Sequence, residues 1–342
     1  MTALRYWLVL CMLVMFTSCQ SKAPTVGCTP INDELPQKLS DLGLFTGTLA
    51  EQQPANGVFP YELRTPLFSD YTLKYRFIKL PDGEKPHYVS NDDTVHFPHG
   101  TIIAKTFAYP KDQRHPEQGR RLIETRILRK ENAGWQGVSY LWNDEQTEAL
   151  QKLTGKVVTA DWTHFDGKPI SNAYIVPNAN QCKGCHGNSN EPIGPKPRNL
   201  LHADELFKQM NQPITGSTVP VWNDPKTGSL HDRAKAWLDI NCAHCHNPAG
   251  PARQSGLDLR YAQQEATQYG IMKMPVAAGR GSGGRHFDIV PGKPDESIMM
   301  FRLQSTEPGI MMPELPRRMV DAEGVALIRE WISSMPPAAS PK

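Results

Sequence analysis

Two five-residue stretches of this chain combine two cysteines and a histidine in the same order and spacing. They are Cys182-Lys-Gly-Cys185-His186 and Cys242-Ala-His-Cys245-His246. The Cys-x-x-Cys-His pattern is the attachment sequence of c-type haem. The two thiols add to the haem vinyl groups as thioethers, and the adjacent histidine supplies the proximal nitrogen to the iron. The sequence therefore predicts two covalently attached haem c groups, with His186 and His246 as iron ligands.

Two other uses of paired cysteines compete with this interpretation. The four motif cysteines could form one structural zinc site with four thiolate ligands, or each pair could close a disulfide. Neither alternative explains why a histidine follows both pairs. The chain has only seven cysteines among 342 residues, so a chance repeat of the pattern is not a useful explanation. His244, inside the second motif, is interpreted as one of its two variable positions.

The function of a haem depends on the ligand at the other side of its iron. For the second haem the stretch PGIMMPELP suggests Met312, which precedes Pro313 and stands shortly before a predicted last helix, as in small cytochromes c. Met311 is the close competitor, and Met274 also precedes a proline but lies well before the expected position. Methionine is more often a core residue than a ligand. We expect Met312 to ligate the second iron.

The first haem has no comparable marker for its distal ligand. Three residues are candidates: Met210, His202 and His286. Haem propionates are a second source of contacts, because arginine pairs with carboxylates through two parallel hydrogen bonds. Four arginines lie between the second motif and Met312 or close to it: Arg253, Arg280, Arg285 and Arg302. Arg302 is the preferred partner because it lies between the helix-like SIMMF and the expected methionine ligand.

The first 18 residues predict a signal peptide of the lipoprotein type. An apolar run of 11 residues follows a single arginine, which suits a signal peptide and is too short for a membrane span. The stretch FTSC resembles a lipobox, with Cys19 as the lipidated first residue of the mature chain, and Gln20 favours the outer membrane. A plain cleaved signal peptide is the alternative. Cys11 would leave with the signal, and Cys28 is interpreted as an incidental residue of the tether.

Alternation of apolar and polar residues predicts a β-rich domain before the first motif. In YTLKYRFIKL one face carries the aromatic and aliphatic side chains and the other carries Thr72, Lys74 and Arg76. Five more strands are predicted in HGTIIAKTFAY, RLIETRIL, GWQGVSYLW, GKVVTADW and NAYIVP. Helices are predicted in LPQKLSDLGLF, in ADELFKQM, before the second motif with Ser229 as its cap, and near the C-terminus with Asp321 as its cap.

These elements predict a multidomain α+β fold, in which an antiparallel β-sandwich-like domain precedes a mainly α-helical c-type haem region. The expected division is a signal peptide at 1–18, a tether and short helix at 19–49, a β-rich domain at 50–177, a first haem segment at 178–228 and a cytochrome c-like domain with the second haem at 229–338. The net charge of +2 provides no basic surface for nucleic acid.

The chain as a whole resembles a bacterial family of exported, lipoprotein-like dihaem c-type cytochromes. The resemblance covers most of the mature chain and includes PYELRTPLFSDYTLKYRFI, FPHGTIIAKTF, NQCKGCH, PIGPKPRNL, NCAHCHNPAGPARQSGL and DIVPGKPDESI. It implies two covalent haems and a redox function, without a known substrate. The leading hypothesis is a periplasmic electron carrier that exchanges electrons with a redox protein or dehydrogenase. The alternatives are a haem enzyme of the peroxidase or oxidase type, with an open first haem, and a lipid-anchored binding module.

Overall fold

The computed structural model describes residues 34–210, 218–315 and 317–337. The predicted signal peptide, Cys11, the lipidation site Cys19 and Cys28 lie outside the described residues. The strands are β1 (Phe45–Thr46), β2 (Gln53–Pro54), β3 (Val58–Pro60), β4 (Glu62–Leu63), β5 (Leu73–Lys79), β6 (Ile102–Pro110), β7 (Arg120–Glu131), β8 (Gly134–Trp142), β9 (Ala149–Gln151), β10 (Lys156–Thr163), β11 (Pro169–Val176) and β12 (Leu200–Leu201). The α-helices are α1 (Ala179–His186), α2 (Asp204–Gln209), α3 (Leu230–Asn241), α4 (Ile298–Gln304) and α5 (Ala322–Ser334).

A six-stranded antiparallel sheet is the largest element, in the order β3-β5-β6-β7-β8-β9. Apolar and polar side chains alternate along much of its long central strands, because successive side chains of a strand point to opposite faces of the sheet. The register places Ile78, Ile103 and Leu128 side by side on one face. A bulge at Phe107 and Ala108 of β6 shifts the pairing with β7. All six strands predicted from the sequence are confirmed, four of them in this sheet.

The other two predicted strands, β10 and β11, pair with each other as a separate hairpin. The hairpin packs on the sheet through aromatic side chains: Trp162 stacks on Tyr109 of β6 with ring centroids 4.3 Å apart. Tyr174 of β11 reaches the buried carboxylate of Glu124 in β7, to which its hydroxyl donates at 2.6 Å. The sheet is thus covered by a two-stranded hairpin here, and elsewhere on it by α2, whose Leu206 packs in a cluster with Ile78 and Ile103.

The predicted fold class is wrong. The described chain is mostly β, and the haem region after β11 is not mainly α-helical. Its five α-helices are short, and turns and loops with brief 3₁₀ segments join them. The physical reason lies in the glycines and prolines of these connections, which interrupt helical backbone. Gly256, Gly270, Gly283 and Gly292, for example, all have positive φ angles.

Three of the four helices predicted from the sequence are confirmed, as α2, α3 and α5. Ser229 caps α3 by accepting a hydrogen bond from Asp232 N, and Asp321 caps α5 by accepting one from Gly324 N. The two helices pack together around Trp237, whose indole nitrogen donates to Asp321 at 3.0 Å. The helix predicted in LPQKLSDLGLF is a single 3₁₀ turn, Leu39–Leu42. None of the helices among the described residues has both the length and the apolar composition to span a membrane.

Buried hydrogen bonds join the loop before β5 to the last third of the chain. Phe68 N donates to the Asn241 side chain at the end of α3, at 2.8 Å. The fully buried Asp70 accepts from the backbone nitrogens of Arg318 and Met319, both at 2.8 Å. The segment between β4 and β5 therefore fixes both the helix that leads into the second motif and the segment before α5.

Candidate haem attachment site

The first motif lies on α1, which has only eight residues. Asn178 begins it with a capping box: its side chain accepts from Gln181 N, and the Gln181 side chain accepts from Asn178 N, both at 2.9 Å. Pro177 directly precedes this cap, so no longer helix leads into the motif. Cys182 and Cys185 are three residues apart on one helix, so their side chains lie on the same face. A single turn of helix therefore suffices to present both thiols.

His186, the last residue of α1, is held by one ring nitrogen. Its Nδ1 lies 2.8 Å from the carbonyl oxygen of Glu191, which can accept a hydrogen bond only if Nδ1 carries the proton. This tautomer leaves Nε2 unprotonated and available to a metal. Burial, with a smaller effect from the positive charge of Lys105, lowers the pKa of His186 to about 4. The imidazole is therefore neutral at neutral pH, which is the form that binds iron.

The second motif follows α3 directly, and its histidine is placed in a similar way. His246 N donates to Cys242 O at 2.9 Å, so the motif forms a hydrogen-bonded turn directly after the helix. The His246 Nδ1 lies 3.0 Å from the hydroxyl of Ser255. Burial lowers the pKa of His246 to about 4, with smaller effects from the nearby charges of His244 and Arg302. Both motif histidines are thus neutral and held by a contact at Nδ1, and for His186 that contact leaves Nε2 unprotonated.

The two motifs lie next to each other in the fold. The Cys245 sulfur is 3.9 Å from the carbonyl oxygen of Gly184 in the first motif. The Cys245 thiol also interacts directly with Cys185, and this contact and the hydrogen bond from His244 lower the pKa of Cys185 to about 4 while the pKa of Cys245 rises. The second cysteine of one motif therefore faces the second cysteine of the other, although 60 residues of sequence separate them.

All four motif cysteines are free thiols in the structure. Within residues 34–210, 218–315 and 317–337, no three His, Cys, Asp or Glu side chains come together in an arrangement that could hold a metal ion. The four sulfurs are therefore not gathered into the single four-thiolate cluster that the zinc alternative requires. His244, interpreted from the sequence as a variable position, instead contacts the first motif through Cys185.

A small cavity of about 30 Å³ lies between the two motifs and α5. Its lining includes Cys185, His244 and the predicted ligand Met312, with Trp237 and Asn241 from α3. The structure therefore brings Met312 to the same cavity as residues of both motifs. The competitor Met311 does not line this cavity, and Met274 has 69% of its surface exposed. Of the methionines considered for the second haem, Met312 alone has a suitable position among the described residues.

Arg302 lies close to both predicted ligands of the second iron. Its carbonyl oxygen accepts from Met312 N at 3.1 Å, its Nε donates to Ile310 O at 2.9 Å, and its charge lowers the pKa of His246. The other arginine candidates are placed differently. Arg280 pairs with Glu307 at 2.6 Å, the Arg285 Nε donates to a backbone carbonyl of Asp295, and Arg253 is exposed.

Sequence reasoning missed Arg317, which also lines this cavity. The side chain is buried, with 4% exposed, and its Nη2 donates to Ser305 O at 2.7 Å and to Met312 O at 2.9 Å. Longer contacts reach the carbonyls at the end of α4. Arg317 thus fixes the loop that carries Met312. The pair of arginines after MMPELP offered a weak indication, but nothing in the sequence distinguishes buried Arg317 from exposed Arg318.

The three candidates for the distal ligand of the first haem are not brought to the first motif in an evident way. Met210 is buried in the cluster that includes Trp135 and Leu206, and no motif residue belongs to that cluster. His202 and His286 are exposed. The side chains whose charges reach His186 are instead Lys105 and Arg126, from the face of the sheet.

Comparisons with protein-family models, with curated proteins and with solved structures find no match to this chain.

Proposed function

We propose that this protein is a dihaem c-type cytochrome that passes electrons between redox partners. The observation that carries the proposal is the contact between Cys185 and Cys245, each the second cysteine of its motif. Two haems attached through these thiols would lie side by side. Electronic coupling between two redox centres falls steeply with distance, so adjacent attachment points favour a fast relay within one chain.

The residues around the motifs fit covalent haem. Each motif histidine is neutral and is oriented by a contact at Nδ1, as metal-ligating histidines generally are. Both cysteines of each motif are free and partly accessible, so thioether bonds can form. Met312 lines a cavity with residues of both motifs, where a thioether sulfur would favour reduced iron and raise its potential.

The roles of the residues follow from these positions. Cys182 and Cys185 would hold the first haem and Cys242 and Cys245 the second, while His186 and His246 bind the irons. Arg302 is placed to pair with a propionate of the second haem, because its Nη groups make no hydrogen bond or ion pair within the described residues. The haems supply the one-electron chemistry, and the protein positions them, excludes water and sets their potentials.

The proposal includes location and partners. The predicted lipoprotein signal places the protein outside the cytoplasm, anchored through Cys19 to the outer membrane. Covalent haem attachment outside the cytoplasm agrees with export. A periplasmic redox protein or dehydrogenase is the expected partner.

A haem enzyme with an open first iron is the second candidate, and one observation favours it. Of the predicted distal ligands of this haem, Met210 packs in a cluster that contains no motif residue, and His202 and His286 are exposed. An iron without a protein ligand on its distal side could bind peroxide or oxygen.

The test is the haem content and ligand response of the mature full-length protein, produced together with haem-attachment machinery. Pyridine haemochrome analysis should give two haems per chain, and one haem in each of the double variants Cys182→Ser/Cys185→Ser and Cys242→Ser/Cys245→Ser. Two low-spin haems that ignore added carbon monoxide support the electron carrier. One haem that binds carbon monoxide supports the enzyme, and absence of covalent haem would overturn both candidates.

A further inference from the structure

Three cations lie directly opposite one another across the central strands of the sheet. Arg76 of β5 pairs in register with Lys105 of β6, and Lys105 pairs with Arg126 of β7. The three side chains therefore share one face. Like charges directly opposite each other destabilise a sheet. A row of three requires compensation, and we refer to Arg76, Lys105 and Arg126 as the cationic row.

The protein itself compensates only one end of the row. Arg126 pairs with the buried Glu124 at 2.6 Å. Lys105 and Arg76 form no ion pair with a carboxylate among the described residues, and the Arg76 Nη1 donates only to Lys74 O, at 3.2 Å. Burial, together with repulsion from Arg126 and Arg76, lowers the pKa of Lys105 to about 7. Two cations of the row thus lack an anion, although Arg76 has only 8% of its surface exposed.

The first Cys-x-x-Cys-His motif faces this row. The charge of Lys105 acts on Cys185 and His186, and that of Arg126 acts on Cys182 and His186. The chain after the motif lies against β8, where Trp135 N donates to Ser189 O at 2.8 Å.

A glycine allows this close approach. A Cβ added to Gly134, at the start of β8, would lie 2.9 Å from Ser189 O. Gly134 also has φ +127°, a conformation that other residues rarely adopt. The loop after the motif is therefore held directly on the sheet, with the motif over the cationic row.

We propose that the cationic row binds the propionate groups of the haem attached at Cys182 and Cys185. This inference rests on the proposed function. The haem carries two carboxylates, and Lys105 and Arg76 are the two cations without an anionic partner. Arg126 keeps its pair with Glu124 and stacks on the Phe107 ring, with its guanidinium carbon 4.3 Å from the ring centroid. The sheet is thereby part of the first haem site, and the second haem, beside Arg302, has a separate propionate partner.

The test is the midpoint potential of the first haem, measured in the holoprotein by spectroelectrochemical titration. The second haem is removed by Cys242→Ser/Cys245→Ser so that one transition is followed. A cation beside a propionate cancels negative charge that would stabilise ferric iron, so Lys105→Gln and Arg76→Gln should each lower the potential. We expect about a tenfold change in the ratio of oxidised to reduced protein at fixed potential, or about 59 mV for one electron.

Two further variants separate binding from structural damage. Lys105→Arg keeps the charge and should keep the potential close to that of the parent. Lys168→Gln removes a lysine that is 76% exposed, and it should have no effect. If Lys105→Gln gives no folded holoprotein, Arg76→Gln measures the same quantity.

The two levels of the proposal fail in different ways. Haem attached at the first motif, with potentials of Lys105→Gln and Arg76→Gln equal to that of Lys168→Gln, would overturn the propionate site and leave the proposed function intact. Absence of haem at the first motif in the parent protein would overturn the proposed function itself.

Discussion

Replacing Arg317 tests whether the loop that carries Met312 is held by a buried guanidinium. Arg317→Met keeps an unbranched apolar side chain and removes the hydrogen bonds to the carbonyls of Ser305 and Met312, at 2.7 and 2.9 Å. Each hydrogen bond to a charged group contributes about 1.5–3 kcal/mol. We therefore expect a loss of about 3–5 kcal/mol in the free energy of unfolding.

Arg317→Lys separates charge from geometry. Lysine keeps the positive charge, but an ammonium cannot reproduce the planar fork that reaches several carbonyls at once. We expect the lysine variant to be destabilised as well, by roughly half as much as Arg317→Met. The matched control is Arg318→Gln: this neighbouring side chain is exposed, and its backbone nitrogen keeps the hydrogen bond to Asp70.

The assay combines urea unfolding with the midpoint potential of the second haem. If Arg317 positions Met312, weaker ligation by sulfur lowers the potential, since a thioether favours reduced iron. Arg318→Gln should change neither quantity. The reasoning would be refuted if Arg317→Met unfolded within about 1 kcal/mol of the parent protein and kept the same potential, because a single buried hydrogen bond already contributes about that much.

Two other substitutions test local features of the same region. Asp239→Asn breaks a buried ion pair with Arg198 (2.9 Å) and should cost about 3–5 kcal/mol in urea unfolding; an unchanged midpoint would contradict this. Burial alone would raise the pKa of Asp239, but the charges of Lys196 and Arg198 outweigh it, so the net shift of this pKa is downward. The stabilisation from the ion pair should therefore be lost as pH falls through the native pKa of Asp239. Gly250→Ala places a methyl group against Cys245 O and should reduce haemochrome content towards one haem per chain, whereas Gly184→Ala, with its nearest atom 3.9 Å away, should retain two.

The strands could be predicted because their cause is local. Apolar and polar residues alternate along β5, and each strand ends at a turn sequence such as PDG, so period and boundaries are both visible. The bulge at Phe107 and Ala108 was not visible, since it depends on how β6 pairs with β7. The pairing of β10 with β11 in a separate hairpin could not be predicted either. Both segments show strand propensity in the sequence, but their choice of partner depends on tertiary packing.

The fold class of the second half was wrong for a related reason. Capping residues identified α3 and α5 correctly, but the region between them was included in a part of the chain predicted to be mainly α-helical. Those residues contain many glycines, and several adopt positive φ angles that helices do not contain. Backbone hydrogen bonds in turns replace helical ones there, such as Gly270 N to Thr267 O at 3.0 Å.

Local sequence patterns predicted one part of the candidate site, and the other part depends on tertiary contacts. The motif cysteines and histidines are recognised from the sequence alone, because each motif is a run of five adjacent residues. The contact of His244 with Cys185 joins residues far apart in sequence, so no local pattern contains it. Arg317 could not be identified from the sequence for the same reason. Its role depends on its burial and on the carbonyls around it, and the sequence shows only two adjacent arginines.

The polar face of β5 is more buried than its sequence pattern suggests. Alternation alone predicts that Lys74 and Arg76 face solvent, yet Arg76 is 8% exposed and the register sets it opposite Lys105. A protein that needed only to fold could put apolar residues at these covered positions, because a buried charge without a partner costs several kcal/mol. The unfavourable row is explained if an anion completes it. The potential of the first haem in Lys105→Gln therefore tests why the sheet accompanies the haem motifs at all.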